Sequence, residues 1–126
     1  MKLDKYLKHI QEQREDFEDK YKMYRRHGVI ALLSIPPGSV YTYIFSSLKN
    51  RCTKRCKKFQ VQPECWYKCY LDSANQVVRV INSDIGKITR IDDKTKRNQL
   101  RKKLTFQVER WERKIDKLKE KLRRIT

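Results

Sequence analysis

Four cysteines constrain this chain more than any other feature. Cys52, Cys56, Cys65 and Cys69 spell C-x3-C-x8-C-x3-C. On an α-helix, residues four apart share a face. Each pair therefore lies on one side of a helix, and Pro63 between the pairs allows the two helices to fold back antiparallel. In such a hairpin Cys56 faces Cys65 and Cys52 faces Cys69. Disulfides need Cα atoms about 4.4–6.8 Å apart, a distance that closely packed helices reach. Of the three possible pairings this nested one fits the geometry best, and each bridge would contribute about 2–4 kcal/mol. A four-thiolate zinc site is the minority alternative, since thiolates four apart can converge on a tetrahedral ion. Structural zinc more often uses C-x2-C spacing. Four reduced thiols are the third alternative.

The rest of the chain reads as helix. Three Gly and three Pro in 126 residues are too few for a turn-rich all-β fold and leave no Gly-rich phosphate loop. Leu3, Leu7, Ile10, Arg14, Phe17, Tyr21 and Tyr24 recur at spacings of four and three, which predicts an amphipathic helix over 2–27. Gly28 is expected to end or loosen it. Pro36-Pro37-Gly38 is the strongest turn signal, with Ser39 expected to cap a second helix. Tyr41, Ile44, Phe45, Leu48, Cys52 and Cys56 fall on one side of that helix. A third helix starts at Pro63, with Trp66, Tyr70, Val77, Ile81, Ile85 and Ile88 on its buried face and a possible end or bend at Gly86. Asp92 or Asp93 caps a fourth. Its seam is Leu104, Val108, Trp111, Ile115, Leu118 and Leu122. So narrow a stripe suits a docking helix, which could be internal, a second copy or another protein. The expected fold is all-α: an elongated helical hairpin or bundle with long amphipathic helices at both ends. It forms one domain over 1–126, with an N-terminal helix within 1–35, a Cys-stapled hairpin at 39–90 and a basic helix at 93–126.

Charge is concentrated. The formal net charge is +17, and 16 of those units fall in residues 49–58 and 94–126. Fields of this kind attract polyanions. The candidate contacts are Lys49, Arg51, Lys54, Arg55, Lys57 and Lys58 in the first segment, and Lys96, Arg97, Arg101, Lys102 and Lys103 in the second. No DNA- or RNA-reading motif accompanies them, so any nucleic-acid contact is expected at phosphates without sequence readout. Residues 28–48 carry no charge at all. Broken by Pro36-Pro37-Gly38 and diluted by five Ser and Thr, the run reads first as the buried elbow of a bundle. Membrane insertion or anchoring is the alternative. The charged, amphipathic start predicts no signal peptide.

Two resemblances bear on function. The twin C-x3-C hairpin resembles the small chaperones of the mitochondrial intermembrane space, although their spacer is longer and they lack a long basic final helix. Residues 28–70 resemble small virion-associated proteins of tailed bacteriophages. The parts that carry this likeness are Ala31-Leu32-Leu33, Pro36-Pro37-Gly38, the aromatics from Tyr41 to Phe45, and Cys52-Thr53-Lys54-Arg55-Cys56 followed by Cys65 and Cys69. The second resemblance implies a structural role in a virion and supplies no catalytic residues. Paired cysteines imply oxidation, which suits a virion after release or, alternatively, the intermembrane space. His9 and His27 have no motif tying them to a thiol, and no acid–base pair is identifiable. The expectation is a non-enzyme with no cofactor, no resident metal and no small-molecule substrate. Its expected partners are other protein subunits of an assembly and, through phosphates, packaged nucleic acid. Free, sequence-non-specific nucleic-acid binding is a further alternative.

Overall fold

The computed structural model describes residues 2–57 and 63–125. Helix α1 spans Lys2–His27, α2 Pro37–Lys57, α3 Pro63–Ile88 and α4 Lys94–Ile125. A 3-10 segment, Gly28–Leu33, joins α1 to α2. No strand occurs among the described residues, so the fold is all-α.

Local chemistry sets the boundaries. Gly28 adopts φ +77°, a left-handed conformation that costs other residues energy, and it ends α1. The N-terminal helix therefore stops at His27, where the 2–27 periodicity and Gly28 predict its end. The 3-10 turn that follows is closed by the Ser34 and Ile35 amides, which both donate to the Ala31 carbonyl at 3.0 Å. Helix α2 starts at Pro37, two residues before the expected cap Ser39. Proline at the first helical position loses nothing, because that N–H has no intrahelical acceptor. Ser39 instead lies in the first turn, and its amide donates to Pro36 O at 3.1 Å. Gly86 neither ends nor breaks α3, which continues to Ile88. Of the two candidate caps for α4, Asp93 is used: its Oδ1 accepts from the Lys96 amide at 3.1 Å.

Helix α3 is the spine. It packs along α4 over most of its length and against α2 through the cysteines. The bonds are Cys52–Cys69 and Cys56–Cys65, each with Cα atoms 5.8 Å apart. These are the nested rungs expected from spacing, and they take up the sulfurs that the zinc and free-thiol alternatives required. The main core gathers Leu32, Val40, Tyr41, Val77, Ile81, Ile88, Leu100 and Leu104, all with no exposed surface. The cysteines form a separate cluster with Trp66 and Tyr70. The α4 seam is spent inside the molecule. Leu104, Trp111, Ile115 and Leu118 are buried, while Val108 and Leu122 are half-buried. Its docking partner is mainly α3.

The uncharged run 28–48 is the elbow of the bundle, with Leu32, Val40 and Tyr41 at its centre. No helix among the described residues is long and apolar enough to cross a membrane. Helix α1 differs from the others in burying no residue. Its last turns touch α2 through Tyr21 and Tyr24, with the Tyr21 and Tyr43 rings 4.7 Å apart. Leu3, Tyr6 and Leu7 near its start stay exposed.

Candidate functional site

Two surfaces stand out, and the first is a groove between α2 and α4. Helix α2 contributes Thr42 and Phe45, and α4 contributes Arg110, Trp111, Arg113, Lys114, Lys117, Leu118 and Lys121. The cavity holds about 450 Å³. Its floor is aromatic: the Phe45 and Trp111 rings lie 5.0 Å apart at 58°. Lys114 Nζ sits 4.6 Å from the Phe45 centroid and 5.4 Å from that of Trp111. Lys49, half-buried on α2, reaches Phe45 at 5.6 Å and Tyr70 at 5.0 Å. Lys121 approaches Tyr67 at 5.9 Å. Ring faces carry partial negative charge and attract cations, so the rings hold the ammonium groups over the groove.

Cations crowd here without acids. None of Lys49, Arg110, Arg113, Lys114, Lys117 and Lys121 has an ion-pair partner among the described residues. The Lys114 ammonium is held below the ordinary lysine value. Desolvation against the groove wall is the main cause, followed by repulsion from Lys49, Arg110, Lys121 and Lys117. An anion in the groove would relieve both the crowding and the repulsion.

The residues singled out from sequence are dispersed. Lys49 lies beside the groove, sharing the Phe45 ring with Lys114. Arg51 and Arg55 line a separate hollow beside the Cys52–Cys69 bridge, together with Asp72 and Gln76. Lys54 is exposed. Lys58 and the side chain of Lys57 lie outside the described residues. On α4, Lys96, Arg101 and Lys102 are exposed, with Arg101 and Lys102 beside the exposed Phe106. Two members serve the fold. Arg97 Nη1 donates to Ile91 O at 3.0 Å, holding the α3–α4 turn. Lys103 Nζ donates to the Leu32 and Leu33 carbonyls at 3.4 Å, at the C-terminal end of the 3-10 segment. A cation there also meets the negative end of the helical dipole.

Sequence reasoning missed the groove's main wall. Its signal was nonetheless present. Arg110, Lys114, Lys117 and Lys121 each precede a seam residue by one position. They thus form a cationic stripe parallel to the apolar one, at the same spacings of four, three and four.

The second surface is the start of α1, where Leu3, Tyr6 and Leu7 are 66%, 61% and 55% exposed. At spacings of three and four they share one face.

Fold and surfaces together define a class: a small helical protein, stapled by two disulfides, with a cationic groove and an apolar helical arm. Comparison with family models, with curated proteins and with solved structures finds no match to this chain.

Proposed function

We propose that this protein is a non-enzymatic structural component of a multi-protein particle, the virion of a tailed bacteriophage being the particle its sequence resembles. The arm at the start of α1 docks on a neighbouring subunit. The cationic faces of α2 and α4 turn toward acidic protein or packaged genome. One observation carries the reading. Leu3, Tyr6 and Leu7 form an exposed apolar face on a helix that buries none of its own residues. Contiguous apolar surface of this kind marks interaction sites. The staples support a role outside a reducing cytosol. They also leave no thiol nucleophile among the described residues.

The test is sedimentation of particles from the native source. The protein is expected to travel with the particle. The double variant Leu3→Asp, Leu7→Asp should fold normally and remain at the top of the gradient. Migration of the native protein as a free species under all conditions would overturn the reading.

A further inference from the structure

From the α2–α4 groove we infer that Lys49, Arg110, Arg113, Lys114, Lys117 and Lys121 hold the phosphodiester backbone of a nucleic acid without reading its sequence. The inference deepens the polyanion contact proposed above but does not need the particle, since the purified chain alone carries the groove.

Three observations lead there. First, the site lacks its counter-charge. Five cations line the groove and Lys49 lies beside it over Phe45, and none of the six is paired with a carboxylate among the described residues. Second, the stripe is long. Arg110 to Lys121 covers eleven helical steps, roughly 16 Å at 1.5 Å each. A single small anion would touch only part of it. In a nucleic-acid duplex each strand carries one phosphate per about 3.4 Å of helix axis, so a bound strand reaches several of these cations at once. Third, the groove exposes little of its aromatic floor. Phe45, Trp111 and Leu118 are buried, and Lys114 lies over both rings. An acidic protein would need apolar surface at the middle of its contact. The large exposed apolar side chains lie elsewhere, among them Leu3, Tyr6 and Leu7 on the α1 arm and Phe106. Nucleic-acid interfaces are polar and cationic, and most of their contacts go to phosphate and sugar. The two floor rings are not free to stack on bases, which is why no sequence preference is expected.

The experiment uses the oxidised 126-residue chain and labelled oligothymidylate of about twelve nucleotides, enough to span the groove. A twelve-residue oligoadenylate and a poly-glutamate peptide serve as comparisons. Binding by anisotropy should weaken steeply with salt, should be alike for the two oligonucleotides and should resist poly-glutamate at equal charge. The triple variant Lys114→Ala, Lys117→Ala, Lys121→Ala should lose about tenfold or more in affinity and flatten the salt slope. The control triple Lys96→Ala, Arg101→Ala, Lys102→Ala removes equal charge elsewhere on α4 and should lose less than about threefold. Lysine acetylation of the unaltered protein gives a readout that needs no variant. Bound oligonucleotide should protect Lys114, Lys117 and Lys121 more than Lys96 and Lys102. Equal losses in the two triples, equal protection, stronger competition by poly-glutamate, or no binding at low salt would each overturn the inference. Binding by the purified chain with no particle association would sink the assembly reading alone.

Discussion

Asp84 is 1% exposed, yet it is the acceptor on which three helices meet. Its Oδ2 takes hydrogen bonds from Tyr24 of α1 at 2.6 Å and from Tyr41 of α2 at 2.8 Å. Oδ1 lies 3.9 Å from Lys87 Nζ on the same helix. Replacing it with Ala orphans two hydroxyls, each worth about 1–3 kcal/mol when buried without a partner. Asp84→Ala should therefore cost about 2–5 kcal/mol in urea unfolding, and Asp84→Asn clearly less, because an amide oxygen still accepts. Equal losses would mean that the hydrogen bonds contribute little. Both tyrosines are held well above the ordinary tyrosine range, mainly by burial and then by Asp84. Above about pH 10, where an unfolded tyrosine ionises, the unfolded chain has released protons that the folded chain keeps. The unfolded state then binds fewer protons, so stability falls as pH rises. A tyrosinate absorbance titration should show a late-ionising component that is missing from the Tyr24→Phe, Tyr41→Phe variant. Sequence reading placed Tyr24 and Tyr41 on apolar faces but gave no role to Asp84. A lone acid on a helix is usually solvated, and only packing shows that this one is enclosed.

At the scale of elements, two glycines make opposite predictions. Neither would meet a neighbouring atom within 4 Å on gaining a Cβ. Gly28 has φ +77°, so Gly28→Ala should lose about 1 kcal/mol or somewhat more through backbone strain alone. Gly86 sits inside α3, where Ala is the better helix former, so Gly86→Ala should gain up to about 1 kcal/mol. Thermal unfolding of the two variants checks both signs. The staples also differ. Cys52–Cys69 closes a separation of 17 residues and Cys56–Cys65 one of 9. Loop-closure entropy then favours the outer bridge, at about 3 kcal/mol against about 2.5. Removing each pair as Ala should reproduce that order. Full reduction should lower the melting temperature while leaving the aromatic signals of the main core, because the cysteines form a cluster apart from it. Spacing alone made this hairpin legible, since residues four apart must share a helix face.

The whole molecule is extended. Its accessible surface is 9399 Å², against roughly 7,200 Å² for a compact globule of this mass. Helix α4 alone runs about 48 Å at 1.5 Å per residue. The excess comes with an arm that does not contribute to the core. Residues 2–9 are all exposed, so deleting them should shift stability by no more than about 0.5 kcal/mol. The same deletion should abolish any particle association. A large loss of stability instead would show that the arm is structural. Truncating Trp111 to Ala should by contrast cost about 3–5 kcal/mol. The ring is 4% exposed and packs on Phe45.

Helical periodicity and cysteine spacing are local geometry, so the sequence by itself determined the four helices, the proline and glycine boundaries to within a few residues, and which cysteines face each other, while leaving disulfide, zinc and free thiol as alternatives. It also located the charge. Partnership was different, because an apolar seam looks the same whether its partner is internal or external. Only the tertiary structure decided that the α4 seam is spent on α3 while the start of α1 is left uncovered. It likewise decided which cations converge. Lys49 and Lys114 are 65 positions apart in the chain and meet only because α2 and α4 flank the same spine, where their shared field acts through space and not along the sequence.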